Sequence, residues 1–191
     1  MSQGKKWLVA GAVVFAATLA SRCGSAGLTP PTLWPYTLAQ SAPTDVRVRI
    51  AGRIVAVAFE DYVAGTAVSE VSPVGETPAS IDAVFDTQTI VARTYALAHL
   101  GRHAAEGFDL CDTTHCQLYE PARLGASRFA GDVRRATART AGLVLTYNNK
   151  PIDAVFHADC GGYTASPAQV WGTTAPPYLP SEPDRVADVQ H

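Results

Sequence analysis

The chain has 191 residues, 47% of them hydrophobic and 17% charged, and its formal net charge is −2. This length and composition suit one globular domain with its own core and exclude a disordered chain. The sequence lacks the basic excess with which proteins attract phosphates, so we expect no nucleic-acid partner.

Residues 1–23 have the pattern of an export signal. MSQGKK is a short basic region, and the uncharged apolar run after it, residues 7–20, is too short to span a membrane comfortably. A cleaved secretory signal, an uncleaved membrane anchor and lipidation at Cys23 remain open. All three place the folded part at the cell envelope, outside the cytoplasm. Residues 24–45 are rich in Pro, Ser, Thr and Gly and are predicted to be a linker.

The first elements of the folded part are predicted to be two strands and a helix. VRVRIAG, from Val46, alternates apolar and basic residues, as a half-buried strand does. Gly52 is predicted to turn the chain, and IVAVA to form the second strand. FEDYVAGTAVSEV then changes to helical spacing, with an apolar stripe that runs from Phe59 through Val63 and ends at Glu70.

The longest helical pattern covers roughly residues 81–100. Gln88 lies on the inward stripe of this helix, together with Val84, Phe85, Val91, Ala92 and Tyr95. Another helix is predicted at about residues 129–140, with Gly142 in a left-handed C-terminal cap.

LVLTY, NNK and PIDAVFH then predict a hairpin that leads to His157. The strands and helices do not alternate as regular βαβ units, so the sequence predicts one α+β domain over residues 46–191.

Glu70 is the candidate acid. Burial on an apolar helix face favours a protonated carboxyl group, and such a group can donate its proton to a leaving oxygen. The alternative is a helix-end glutamate that reaches solvent or pairs with Arg93. Gln88 also places a polar group on an inward helix stripe, and its buried amide needs hydrogen-bond partners. A substrate, Glu70 itself or an ordinary interhelical hydrogen bond could supply them.

Cys111, His115 and Cys116 form a Cys-x3-His-Cys cluster, and His99 and His103 lie just upstream. Thiolate and imidazole ligands suit tetrahedral Zn²⁺, and a closed site of four ligands would be structural. The rival is a Cys111–Cys116 disulfide, which an oxidising compartment favours. Spacing alone leaves both open.

A third idea concerns HADCGG, residues 157–162, where Cys160 could be a nucleophile with His157 as its base. No local signature of a cysteine hydrolase surrounds this pair.

These segments occur in a recognisable order. FEDYVAGTAVSEVSP, TQTIVARTYAL, FDLCDTTHCQLY, a strand ending in HADCGG, and then VWG and PPYL resemble the stage II sporulation protein D family, also called the amidase-enhancer (LytB-type) domain. The resemblance covers roughly residues 46–179. Each motif is weak alone, and together in this order they are specific.

The resemblance implies a lytic transglycosylase of peptidoglycan that favours glycan strands stripped of their stem peptides. The family's catalytic acid belongs to an Ala-Glu-Met-Pro-like motif, which falls on Glu70 here. Val71 replaces the methionine, and Ser72 is an extra residue before Pro73. Glycoside hydrolases usually need two carboxyl groups. A lytic transglycosylase can use one, because the sugar's own 6-hydroxyl is the nucleophile.

The resemblance also implies the remaining site residues. Some family members carry zinc in the region of the cysteine cluster and others do without, which implies a structural ion rather than a Lewis acid. Its expected ligands are His103, Cys111, His115 and Cys116. HADCGG matches a His-Ser-x-x-Gly-Gly pattern that lines the family's glycan cleft, and this argues against a nucleophilic Cys160. The expected substrate-binding residues are Gln88, Arg93, Tyr95, Gln117, His157, Asp159, Gly161 and Gly162.

Two other functions remain as hypotheses. One is a non-catalytic module that binds peptidoglycan or stimulates a cell-wall amidase, which would then be its partner. The other is a metal-dependent hydrolase, which chelators would stop outright. Family members normally continue through further strands after the position of Leu179, so the domain is expected to be C-terminally incomplete.

Overall fold

The computed structural model describes residues 42–74, 77–157 and 159–183, and the backbone of residues 32–35. The predicted export segment, residues 1–23, lies outside these ranges. Within them, no helix combines the length and apolar composition needed to cross a bilayer. The predicted linker contains a strand: β1, Thr32–Pro35, pairs antiparallel with a strand more than a hundred residues later. Backbone pairing of this kind depends on a distant partner, which linker composition does not reveal.

A hairpin opens the domain, as predicted. β2, Asp45–Ile50, and β3, Arg53–Ala58, are antiparallel, and their two-residue turn has positive φ at Ala51 (46°) and Gly52 (80°). Every second side chain of β2 is buried. β4, Leu110–Cys111, adds to the other edge of β2 in parallel, which gives a sheet of order β3-β2-β4.

Helix α1, Phe59–Glu70, is the central element of the fold. The sequence predicted one inward stripe, and this prediction was too narrow, because every residue from Tyr62 to Ser69 is buried. The helix is surrounded by β2, β3 and three other helices. A helix that contacts neighbours on all sides needs small residues where they come closest. Gly65 is such a position, because a Cβ there would lie 2.5 Å from Cε2 of Tyr119.

Helix α2, Pro78–Ala98, begins with proline at its first position, and the Thr77 side chain caps the Ser80 N–H at 3.2 Å. The predicted inward stripe is confirmed for Phe85, Gln88, Ala92 and Tyr95, which are buried, whereas Val84 and Val91 are half-buried.

The remaining elements complete an α+β fold, as predicted. After a short 3-10 helix at Ala104–Glu106, helices α3, Pro121–Ala126, and α4, Ala130–Arg139, pack on α1. Strands β5, Leu143–Tyr147, and β6, Lys150–Pro151, form the second hairpin, and the order of the second sheet is β1-β5-β6. Helix α5 is Pro167–Trp171.

The turns of this half also match the sequence pattern. The φ angle is 73° at Gly142, after α4, and 51° and 60° at Asn148 and Asn149, between β5 and β6.

Candidate functional site

A cavity of about 1160 Å³ brings together four parts of the chain. Its wall contains the end of α1, the end of α2, the segment around Cys116, and much of the chain after β6. The predicted site residues in this wall are Glu70, Tyr95, Gln117 and His157, together with the metal candidates His115 and Cys116. A concave site of this size, with convergent polar groups, is the default location for substrate binding.

Glu70 is the last residue of α1 and is partly buried. The backbone N–H of Leu118 donates a hydrogen bond of 2.8 Å to its Oε1 atom. No partner of Oε2 is found among the described residues. The carboxyl group is therefore held by one oxygen while the other is available at the cavity wall. Glu70 does not pair with Arg93, which was one of the structural alternatives.

Arg93 lies outside the cavity wall, although a substrate-binding role was expected. Its side chain is 1% exposed and donates to both carboxylate oxygens of Glu60, at 2.9 and 2.7 Å. It also donates to the carbonyl oxygens of Thr140 and Leu143, at 3.0 and 3.2 Å. These contacts tie α2 to α1 and to the α4–β5 connection, so Arg93 supports the fold.

Gln88 is also absent from the cavity wall. It is buried, and its Nε2 atom has no hydrogen-bond partner among the described residues. The Nε2 atom therefore does not make the interhelical hydrogen bond that was the alternative role for Gln88.

Gln117 lies in the wall and is almost fully buried. The Tyr62 hydroxyl donates to its Oε1 at 3.4 Å, and its Nε2 has no partner in the described chain. Burial raises the pKa of Tyr62, so this hydroxyl stays a donor at neutral pH. The Nε2 atom is itself buried, so Gln117 borders the cavity without presenting this nitrogen to it as an open donor.

The predicted metal ligands form one compact cluster. One ligand atom from each of His103, Cys111, His115 and Cys116 lies within 4.8 Å of every other. The sulfur–nitrogen distances are 3.5 Å from Cys116 to His103, 3.7 Å from Cys111 to His115 and 3.8 Å from Cys116 to His115. A tetrahedral zinc site needs sulfur–nitrogen edges of about 3.6 Å. The four residues therefore fit such an ion.

The surroundings of the cluster favour metal over a disulfide. The Sγ atoms of Cys111 and Cys116 are 2.9 Å apart and both thiols are free, whereas a disulfide needs about 2.05 Å. Glu106 Oε1 lies 2.7 Å from His103 Nδ1, which leaves Nε2 facing the sulfurs, as a carboxylate does behind a zinc-bound histidine. Binding of zinc would move the two sulfurs apart to about 3.8 Å.

The two thiols differ in acidity. Burial disfavours the Cys111 thiolate, but hydrogen bonds with Cys116, Thr113 and His115 outweigh it and lower the pKa of Cys111. Burial and the neighbouring Cys111 raise the pKa of Cys116. The Cys111 sulfur is therefore the one that more readily becomes a thiolate, the form that binds a metal.

A second polar group in the cavity wall was not predicted as a site. His99 Nε2 lies 2.5 Å from Asp153 Oδ1, and the His99 ring packs at a tilt of 38° against Tyr95, with ring centres 4.1 Å apart. Arg102 donates to the Tyr95 hydroxyl at 3.1 Å. The i, i+4 spacing of Tyr95 and His99 was a usable signal for their shared face. No local pattern marked Asp153, which comes from the chain after β6.

Of the described residues of HADCGG, His157 is the one in the cavity wall. The Asp159 carboxylate accepts the Gly161 N–H at 2.7 Å, and φ is 64° at Gly161 and 88° at Gly162. Asp159 and the two glycines are exposed but lie outside the cavity wall. Two aromatic residues line the wall on the side of α5. Trp171 is exposed, and Tyr178 is partly exposed.

Comparisons with known proteins give a consistent result. Residues 50–147 match the family described as "Stage II sporulation protein" (SpoIID). The chain is 33% identical over 134 residues to stage II sporulation protein D of Bacillus amyloliquefaciens, and 32% identical to that of Bacillus subtilis. These alignments cover 64% of this chain and 37% of each Bacillus protein.

An uncharacterized protein of Brachyspira hyodysenteriae is 36% identical over 122 residues, which is 63% of this chain and 30% of that protein. The chain thus spans about a third of the length of the curated relatives it matches.

Proposed function

Because the chain belongs to the stage II sporulation protein (SpoIID) family, we propose that it is a lytic transglycosylase of peptidoglycan. It cleaves the bond between N-acetylmuramic acid and N-acetylglucosamine in glycan strands without stem peptides, and leaves 1,6-anhydro ends. The observation that carries this proposal is the position of Glu70. Its carboxyl group lies in the wall of a large cavity, is oriented through Oε1 by the Leu118 N–H, and has Oε2 available.

The cavity has the size and chemistry for a sugar chain. Its volume of about 1160 Å³ exceeds what a single small ligand needs. Trp171 and Tyr178 supply ring faces against which the apolar face of a sugar can pack, while Gln117, His99 and Asp153 supply hydrogen-bonding groups. Polar groups fix the orientation of a substrate, and apolar surface supplies binding energy.

Glu70 performs both proton transfers in this mechanism. The protonated carboxyl first gives its proton to the glycosidic oxygen, and the bond between that oxygen and C1 of N-acetylmuramic acid breaks. The resulting carboxylate then accepts the proton of the 6-hydroxyl of the same sugar, and O6 bonds to C1. The proton balance closes on one residue. The hydrogen bond from the Leu118 N–H to Oε1 keeps the group aimed at the cavity in both steps.

Other wall residues hold the sugar. Gln117, Tyr95 and His157 line the same cavity and are the residues proposed to hold the sugar. Gln88, Arg93, Asp159 and the two glycines of HADCGG have no such position, so we do not assign them to substrate binding.

A zinc ion held by His103, Cys111, His115 and Cys116 would be structural. When bound, it supplies four fixed bonds that hold the loop from Cys111 to Cys116 in one conformation. That loop continues directly into Gln117 and Leu118, which contact the substrate and Glu70. None of the proton transfers involves the ion.

We also propose where this enzyme acts and which protein it acts with. The enzyme is exported and acts at the cell envelope, where residues 1–23 direct it and can hold it on the membrane. A cell-wall amidase, which removes stem peptides, is the proposed partner because it would produce the denuded strands.

The test is replacement of the proposed acid. Glu70→Gln keeps the shape and the oxygen that accepts the Leu118 N–H, but it has no proton to give. We expect anhydro-product release from denuded peptidoglycan, measured by mass spectrometry, to fall by about 10²- to 10⁴-fold. Asp61→Asn is the control on the same helix, because Asp61 is exposed and pairs with Arg134 at the surface, away from the cavity wall. Undiminished turnover by Glu70→Gln would refute the role of Glu70, and absence of anhydro product from the wild type as well would favour the non-catalytic alternative.

A further inference from the structure

Arg102 differs from most arginines of the described chain because it has no carboxylate within 4.0 Å. Arg53 and Arg128 share this property, whereas the other described arginines form ion pairs. Only Arg102 of these three lies in the cavity wall. It is also the only arginine or lysine in that wall among the described residues.

The guanidinium of Arg102 is held in place by neutral groups. Its Nη1 atom donates to the Tyr95 hydroxyl and to the His115 carbonyl oxygen, both at 3.1 Å. Neither acceptor cancels its charge. Nε and Nη2 have no partner in the described chain, so one edge of a planar, positively charged donor group remains open. Such an edge matches the two oxygens of a carboxylate.

The rest of the cavity wall is acidic. Glu70, Asp153 and Glu182 contribute carboxyl groups to it, and Asp153 already pairs with His99. Cys116, a neighbouring thiol, would share its charge with a bound metal. Glu70 enters the proposed reaction protonated and Asp153 is paired with His99, so among the lysines and arginines of the described wall Arg102 alone offers a positive charge to an anionic substrate group.

We propose that Arg102 binds the lactyl carboxylate of N-acetylmuramic acid and thereby selects strands without stem peptides. This inference rests on the proposed function. In a stripped strand the lactyl group ends in a free carboxylate, whereas in a strand with its peptide the same carbon is a neutral amide. The arginine therefore gains a charge-assisted pair only with the stripped strand, and the amide leaves its open edge without a charged partner.

The test measures binding in the Glu70→Gln background of the full chain, so that catalysis does not interfere. The probes are the tetrasaccharide of alternating N-acetylglucosamine and N-acetylmuramic acid, the same tetrasaccharide with its lactyl carboxylates amidated, and chitotetraose, which has no lactyl group. We expect Arg102→Gln to weaken binding of the first probe by about ten- to a hundredfold and binding of the other two by less than about twofold. Arg102→Lys keeps the charge but not the planar fork of donors, so its affinity for the first probe should lie between those of the parent and Arg102→Gln.

Arg53→Gln is the matched control, because Arg53 is also unpaired but lies outside the cavity wall, and it should bind all three probes as the parent does. Thermal unfolding and metal content of each variant check the fold. Equal weakening with all three probes, or no weakening with the first, would overturn the role of Arg102 while leaving the proposed function in place. If the parent binds none of the three probes, both proposals fail.

Discussion

Leu118 and Glu70, 48 residues apart in sequence, are joined by a backbone-to-carboxylate hydrogen bond of 2.8 Å. Leu118 follows Cys116 by two residues, so the cysteine cluster and the proposed acid are connected through one short segment. The Glu120 N–H, two residues further on, donates to the Ser69 side chain at 3.1 Å. The segment from Cys116 to Glu120 therefore holds the end of α1 at Ser69 and Glu70. A shift of this segment should change the position of the Glu70 carboxyl group.

Loss of a metal ligand should loosen this segment. We expect the full chain to carry about one zinc per molecule, and Cys116→Ser to lose it and to unfold at a lower temperature. Elemental analysis and thermal unfolding measure the two effects. Cys160→Ser is the control for metal content, because Cys160 is not part of the cluster. Retention of zinc by Cys116→Ser would contradict this ligand set. Complete and immediate loss of activity on chelation, with the fold intact, would instead support the metal-dependent hydrolase.

Gly65 should not tolerate a side chain. An added Cβ would lie 2.5 Å from Cε2 of Tyr119, whose buried ring packs on Tyr62 with centres 4.9 Å apart. We expect Gly65→Ala to lower the free energy of unfolding by about 1–3 kcal/mol because the Tyr119 ring must move.

Gly125→Ala is the matched control for that change, since Gly125 also lies in a helix but has open space around it. The control should be neutral or slightly more stable. Urea denaturation compares the two variants, and equal stability of both would show that the ring shifts without cost.

Arg93 should matter for stability and not for glycan binding. Arg93→Met removes a fully buried guanidinium, its ion pair with Glu60 and its hydrogen bonds to the Thr140 and Leu143 carbonyl oxygens, so we expect a loss of about 3–5 kcal/mol in the free energy of unfolding. Arg134→Met removes an exposed pair with Asp61 and should change stability little. Chemical denaturation measures both. A stable Arg93→Met variant that loses glycan binding would restore the role expected from the sequence.

Asp109 should make stability depend on pH in the acid range. The side chain of Arg47 donates to its carboxylate, with Nη2 3.0 Å from Oδ1, and lowers the pKa of Asp109. Because the pKa of Asp109 is lower in the folded chain than in the unfolded chain, its ionisation stabilises the fold. This stabilisation is complete above the pKa of an unfolded aspartate, about 3.9, and is lost as the pH falls through the lower pKa of the folded state.

The variant Asp109→Asn should therefore be less stable than wild type at pH 7, by about 0.5–1 kcal/mol, and the difference should shrink toward pH 2. Urea denaturation across this pH range measures it. Asp45, on the same strand as Arg47, has no ion pair among the described residues, so Asp45→Asn should show no such trend. A difference that stays constant with pH would mean that shape and not charge accounts for the effect of Asp109.

The candidate site could be predicted from the sequence where its residues act through local spacing. Glu70 at the end of a helical pattern and the Cys-x3-His-Cys cluster both lie within short segments, and the structure brings each to the cavity wall or into a compact cluster. Gln88 and Arg93 shared helix α2 with Tyr95, yet only Tyr95 reaches the cavity. Periodicity identifies which face of a helix is buried, but it does not say which neighbour covers each turn of that face.

By itself, the sequence determined the first hairpin, the turn of the second and the main helices, because these depend on contacts between residues near each other in the chain. The strand predicted over PIDAVFH was too long, because only Lys150–Pro151 is strand. Only the tertiary structure decided that Glu60 neutralises Arg93, that His99 meets Asp153, and that Arg102 stands in the cavity without a carboxylate. Each of these outcomes depends on which distant segments pack together. Charge pairing follows that packing, so a list of charged residues could not reveal it.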